Sequence, residues 1–188
     1  MYKFLVDENK THLGGNILEG DPYTFCPSTW QYLIDRFGVK SMLDMGSGYG
    51  YCADFFHRHG VRTIAVDGLE TNVNHAIFPT VLHDFVDGPF KCKVDLIHCQ
   101  EVLEHVEEQF VGNLLDTFKS ANIVVVTHAF PGQGGYHHVN CQDPQYWIDK
   151  MTGAGFKLLD IDTDRLRKYA EQDGAQHLAR SGMLFYKI

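Results

Sequence analysis

The segment Asp44-Met45-Gly46-Ser47-Gly48-Tyr49-Gly50 constrains this chain more than any other. It stands between an apolar run at 42–45 that reads as a buried strand and an amphipathic stretch at 51–59 with Cys52, Phe55 and Phe56 on one face. Glycines in a strand-to-helix turn let the backbone reverse sharply and approach a ligand with no Cβ in the way. A dinucleotide Gly-x-Gly-x-x-Gly is not what stands here: the third glycine comes one position early, and Tyr51 fills the place that needs a small residue. No Gly-Lys-Ser/Thr follows, which removes a phosphate loop. A tight turn with no ligand is the plain alternative.

Beyond the loop, helical and strand patterns alternate. Ser28 and Gln31 form a capping box for a helix with Trp30, Leu33, Ile34 and Phe37 inward and Gly38 at its end. Trp30 shares that face and reads as core. Further strands are expected at 63–66, 80–83, 94–99, 123–127, 156–161 and 183–188. Between them come a short helix at 70–76, a long amphipathic helix carrying Leu103, Val106, Phe110, Leu114 and Phe118, a helix capped by Asp143 before Pro144, and a charged helix from about Asp164. The alternation predicts an α/β fold: a Rossmann-like, doubly wound, seven-stranded sheet, mostly parallel with an antiparallel last strand. Its 188 residues suit one domain. We expect a lead-in or lid over 1–27 and the sheet core over 28–188.

Sixteen Lys and Arg against 24 Asp and Glu give a net charge of −8, and no basic cluster exceeds Arg165 to Lys168. That disfavours nucleic acid as a partner. No apolar run approaches the roughly 20 residues that span a bilayer. Residues 1–10 mix Lys3, Asp7, Glu8 and Lys10 in place of a signal sequence, so the expected setting is cytoplasmic, away from membranes. Five scattered cysteines without a Cys-x-x-Cys pair indicate neither disulfides nor a zinc knuckle.

The strand ends share one rim. Asp67 ends the second strand, where acidic residues accept both hydroxyls of a ribose. Asp84 follows the third strand and Cys99-Gln100-Glu101 the fourth.

Taken with the acidic-x-Gly-x-Gly-x-Gly motif at 44–50, with Asp84-Phe85, and with Glu101-Val102-Leu103-Glu104-His105-Val106 after the fourth strand, the chain resembles a class I S-adenosylmethionine-dependent methyltransferase. The resemblance covers roughly 28–188 and is closest to the type 11/23 kind met near glycan and natural-product genes. It implies S-adenosyl-L-methionine as cofactor and S-adenosyl-L-homocysteine as product. It also implies that Gly46, Ser47 and Gly48 approach the methionine part, with Asp44 near the ammonium. Asp67 would take the ribose hydroxyls, Gly68 or Leu69 would lie beside adenine, Asp84 would face the adenine amino group with Phe85 nearby, and Cys99 and Gln100 would lie under the methionine end.

Methyl transfer needs alignment and, for a hydroxyl or amine acceptor, a base. The stretch at 127–140 is too long and glycine-rich for a mere connector. It carries His137 and His138, whose ordinary pKa of about 6.5 suits proton removal, with Asn140 to orient substrate or imidazole. Equally, these histidines could tie loop backbone. The Gly-Gly-x-x-His-Val-Asn segment, with the Pro-x-x-Trp helix after it, resembles methyltransferases that hint at a sugar-like hydroxylated acceptor.

Glu101 and His105, four apart, could meet substrate or each other, so His105 joins the catalytic candidates and Glu101, Asn140, Tyr136 and Tyr23 the substrate candidates. The lead-in could cover the cofactor as a lid, with aromatic contact from Tyr23 or Phe25, or equally be a docked arm with no function. His57 and His59 flank an exposed helix end and carry no chemistry. No spacing demands a metal, and none is expected. The expected activity is methyl transfer to a hydroxyl of a small acceptor by a monomer or homodimer. The alternatives are N-methylation of an amine or protein side chain, and a non-catalytic cofactor-binding partner protein.

Overall fold

The computed structural model describes residues 4–17 and 19–188; residues 1–3 and 18 of the expected lead-in lie outside the described residues. A seven-stranded sheet runs, from one edge to the other, through the strands Thr80–Leu82, Arg62–Asp67, Ser41–Met45, Val94–Cys99, Ala121–Val126, Met183–Lys187 and Phe156–Leu158. It comprises β3 (Ser41–Met45), β4 (Arg62–Asp67), β5 (Thr80–Leu82), β6 (Val94–Cys99), β7 (Ala121–Val126), β8 (Phe156–Leu158) and β9 (Met183–Lys187). The first five pair in parallel, and β9 runs antiparallel to both β7 and β8. The expected sheet, with its reversed last strand, is the one found.

The apolar strands explain the layering. β3 and β6 are buried almost throughout, because helices cover both faces. On one face α1 (Pro27–Phe37), α2 (Tyr51–Arg58), α6 (Asp160–Asp173) and α7 (Gln176–Ser181) bring Trp30, Leu33, Phe56, Leu166 and Leu178 to the sheet. On the other, α4 (Val111–Phe118) and α5 (Pro144–Gly153) contribute Leu114, Phe118, Trp147 and Met151. The chain winds outward from β3 to β5 on one side and from β6 to β7 on the other. The carboxyl ends of β3 and β6 therefore flank the switch point where such sheets bind ligands.

Four local expectations differ from the structure. The Ser28 capping box does not form: Ser28 donates its backbone N–H and its hydroxyl to Asp173 of α6, at 2.7 Å each, and Cys26 takes the cap position. The helix expected from Leu103 is broken into 3-10 turns at Leu103–His105 and Glu108–Phe110 before α4, because Val106 and Glu107 are extended. Its apolar residues are still turned inward, so the period gave the buried face and not the backbone. The strand at 156–161 ends at Leu158, and α6 starts at Asp160 with Ile161 in solvent. Asp143 precedes α5 as expected but makes no side-chain cap.

The lead-in holds a hairpin, β1 (Phe4–Val6) with β2 (Gly14–Ile17), and a 3-10 helix, Pro22–Thr24. All five cysteines are free thiols. No helix among the described residues is long and apolar enough to cross a membrane.

Candidate active site

A cleft of about 390 Å³ opens at the carboxyl ends of β3, β4 and β6. The glycine turn forms its floor. Gly46 and Ser47 donate their N–H groups to Val66 O at 2.9 and 3.0 Å, and Gly48 donates to Asp67 Oδ2 at 2.8 Å. Gly46, Gly48 and Gly50 all have left-handed φ. A Cβ on Gly46 would stand 2.3 Å from Val102 Cγ2, so this residue must be glycine for the β6 loop to close on it.

Asp44 is buried, accepts from Ala53 N at 3.1 Å, and lies 3.4 Å from His98 Nδ1, whose Nε2 accepts from Trp30 Nε1 at 3.3 Å. Asp67 Oδ1 accepts from Leu69 N at 2.8 Å and Asn72 Nδ2 at 3.1 Å. Burial pushes the Asp67 carboxyl above its ordinary value, and these hydrogen bonds only partly offset that. Gly68 lies directly beneath Leu13, whose side chain would have to shift for a Cβ there, and Leu69 is buried.

Asp84 is engaged by the hairpin. It accepts from Lys10 Nζ at 2.9 Å and lies 2.9 Å from His12 Nε2. Burial would raise its pKa, but the Lys10 and His12 hydrogen bonds outweigh burial and hold it below the usual carboxylate value. Phe85 is in the core and also lines the cleft. Gln100 lines it as well, while fully buried Cys99 does not. Ser47 Oγ and Gln100 Nε2 are buried without a hydrogen-bond partner. Two unmatched polar atoms beside a Cβ-free turn, with Asp44 and Asp67 on either side, fit a ligand that is polar along its length.

The other end of the cleft is rich in histidine. His105, His138 and Tyr136 line it, with Tyr136 and the His105 ring packed on Gly15 of the hairpin. The His105 and His138 rings meet edge to face at 5.0 Å. Burial, with His138 and His137 nearby, pushes His105 down to about 4, so its imidazole is neutral at pH 7. His138 Nδ1 lies 3.3 Å from Gln133 O. His137 has left-handed φ and is not part of the lining. Asn140 faces away from the cleft: its side chain donates to Val106 O at 3.0 Å and accepts from Gln142, which ties the loop down. Tyr23 is exposed and rests edge-on against His177, outside the lining.

Sequence reasoning missed several neighbours. Glu104, inside the Glu-x-x-Glu-His run at 101–105, is fully buried with both carboxylate oxygens unpartnered, and burial together with the Glu101 charge pushes its pKa well up. With His105 and His138 it offers ligand-type atoms within 4.8 Å of one another, as do Asp44, Cys52 and His98. The mixed carboxylate and imidazole set is one that divalent ions accept. His12, Leu13 and His177 reach the cleft from segments that carried no local signal, whereas Asp21 before Pro22 was a readable cap. No Lys or Arg is among the described residues that line the cleft, but Asp21, Asp44, Asp67, Asp84 and Glu101 are.

A family model described as a methyltransferase domain matches residues 22–122, more than half of the chain. The chain is 26% identical over 121 residues to a ubiquinone biosynthesis O-methyltransferase of Rickettsia bellii strain OSU 85-389, covering 54% of this chain and 50% of the relative. It thus spans about half the length of that relative. Among solved structures, a SAM dependent methyltransferase from Archaeoglobus fulgidus superposes with a TM-score of 0.63 at 16% identity, covering 90% of this chain and 96% of the other. The [4+2]-cyclase SpnF superposes at 0.61 with 11% identity over 86% and 81%, so the fold alone does not fix the reaction. The family match and the strand-end residues together decide the matter: the chain belongs to the methyltransferase-domain family, with the fold of an S-adenosylmethionine-dependent methyltransferase.

Proposed function

We propose that the chain transfers a methyl group from S-adenosylmethionine to a hydroxyl of a small, uncharged acceptor. The observation that carries this reading is a single cleft with a polar, glycine-floored end at Asp44, Ser47, Asp67 and Gln100 and a histidine-lined end at His105, Tyr136 and His138. The Rickettsia relative is an O-methyltransferase, which supports oxygen as the acceptor atom. A cleft lined by carboxylates and no Lys or Arg disfavours a phosphorylated or carboxylated acceptor. A hydroxylated ring or a sugar fits that description.

When bound, the cofactor supplies an electrophilic methyl group on a sulfonium. Asp44 would hold its ammonium, Asp67 its ribose hydroxyls, and Ser47 and Gln100 its methionine end. The protein's share of the chemistry is alignment and proton removal. With its Nδ1–H donated to Gln133 O, His138 keeps Nε2 as the accepting nitrogen, and that atom takes the hydroxyl proton. Neutral His105 beside it adds no competing charge. The hairpin from Lys10 to Gly15 roofs both ends, the role we assign to the lead-in ahead of the core at 28–188. Five free cysteines fit the reducing cytoplasm we propose as its setting.

Titration calorimetry with S-adenosylmethionine and S-adenosylhomocysteine, followed by methyl transfer to catechols, sugars and amines, tests the reading. Micromolar binding with transfer to a hydroxyl compound and a drop of about 10²-fold or more in His138→Gln supports it. Binding with transfer to amines alone overturns the oxygen assignment, and binding with no loss in His138→Gln removes His138 as the base.

A further inference from the structure

His177 of α7 bridges two carboxylates that come from distant parts of the chain. Its Nε2 lies 3.0 Å from Asp21 Oδ2 and its Nδ1 lies 3.1 Å from Glu101 Oε2. Nε2 donates to Asp21, and Nδ1 faces the Glu101 carboxylate at ion-pair distance, where a bare lone pair would be repelled, so the ring carries its second proton and a positive charge. Such a ring has no lone pair with which to act as a base.

Both carboxylates are held from behind. Asp21 Oδ1 accepts from Tyr23 N at 2.8 Å, capping the 3-10 helix Pro22–Thr24, which packs against α7. Glu101 Oε1 accepts from the Thr127 hydroxyl at 2.8 Å, and Thr127 Oγ1 in turn accepts from Glu101 N at 2.7 Å. Glu101 is one of three described non-glycine residues with left-handed φ, at 55°. That conformation is strained for a residue with a side chain and persists only where the surroundings enforce it. Here it turns the side chain away from a helical path and points the carboxylate toward Thr127 and His177. Asp21, Glu101 and His177 all line the cleft.

We propose that His177 is a positioning residue for the acceptor end of the cleft: as an imidazolium hydrogen-bonded to Asp21 and ion-paired with Glu101 it fixes the Glu101 carboxylate beside the acceptor and, through Asp21, seats residues 21–25 as the wall of that end. Its consequence for catalysis rests on the methyl-transfer reading; the bridge itself does not. The charged groups around His177 are Asp21 from the lead-in, Glu101 from the end of β6 and Arg180 on its own helix. Burial and Arg180 disfavour the charged ring, but Asp21 and Glu101 prevail, and the pKa of His177 is raised. The positive charge also offsets Glu101 next to buried Glu104.

The test uses the full chain with ¹⁵N-labelled histidine, as wild type, Glu101→Gln and His177→Gln. Both ring nitrogens of His177 should stay protonated above the ordinary histidine midpoint of about 6.5. Glu101→Gln should lower the midpoint, a response that a merely packed histidine would not give. In His177→Gln, amide exchange over 21–25 should accelerate about tenfold or more while the strands of the sheet stay protected. A wild-type midpoint at or below the ordinary value, an unchanged midpoint in Glu101→Gln, or unchanged exchange over 21–25 each overturns the proposal. S-adenosylhomocysteine binding by the wild-type sample is read separately: its absence removes the methyl-transfer reading, while the bridge still stands or falls on the histidine spectra and the exchange rates.

Discussion

His12 Nε2 lies 2.9 Å from Asp84 Oδ2, and this contact fastens the N-terminal hairpin to the rim of the sheet beyond β5. Lys10 Nζ joins the same oxygen at 2.9 Å, and Leu13 covers Gly68. The carboxylate that the family resemblance turns toward adenine is therefore shared with the strap above it. Replacing Lys10 and His12 together by alanine should speed S-adenosylhomocysteine release by about tenfold, since residence under a cover depends on how often it opens. Stopped-flow dissociation measures this, and equal rates would mean that the hairpin does not gate the cleft.

Gly46→Ala should destabilise the fold. Its Cβ would meet Val102 Cγ2 at 2.3 Å, and φ is 71°. Overpacking of this kind costs about 1–3 kcal/mol, with about 1 kcal/mol more for the left-handed backbone. Adding Val102→Ala relieves the overlap and not the backbone, so denaturant titration should show partial recovery. Full recovery would assign the whole effect to Val102.

Asp67→Asn keeps the shape of the side chain and removes its charge. The residue accepts three hydrogen bonds that shape the turn, so a modest stability loss is expected. Affinity for S-adenosylhomocysteine should fall by about tenfold, the equivalent of one hydrogen bond to a charged group. Unchanged affinity by calorimetry would remove Asp67 from the ribose site.

Acid should weaken the fold through His105. Its folded pKa of about 4 lies below the unfolded value of about 6.5, so the native state favours the neutral ring. That contribution is complete above about pH 6.5 and is lost progressively as pH falls toward 4. Glu104, with a raised pKa, acts in the opposite sense and is present in both proteins of the comparison. His105→Gln should therefore be less acid-sensitive than wild type between pH 6.5 and 4 in chemical denaturation. Parallel curves would show that His105 is not buried as described.

That the strand-end residues line one cleft was largely legible in the order of residues alone. Asp44, Gly46, Ser47, Gly48, Asp67 and Gln100 come together because each follows or ends a strand, and parallel strands deliver their carboxyl ends to one rim. The acceptor end was legible only in part. His105 and His138 reach the cleft, but Asn140 turns to Val106 O, and His137 and Tyr23 stay outside the lining. A loop's side chains are aimed by the partners available around it, and a residue's type does not reveal them.

The sequence by itself determined the α/β winding, the reversed final strand and the position of the glycine turn. These follow from apolar periodicity, from the handedness of short crossovers and from glycine's tolerance of left-handed backbone. Only the tertiary structure decided that Ser28 serves Asp173 in place of its own helix, that Glu101 takes left-handed backbone and meets His177, and that His12 and His177 close the cleft. Each of those contacts joins residues more than 70 positions apart or depends on a neighbour that does. Local propensities are worth tenths of a kcal/mol to about one, and a buried charged hydrogen bond from a distant partner is worth as much or more, so the distant partner wins.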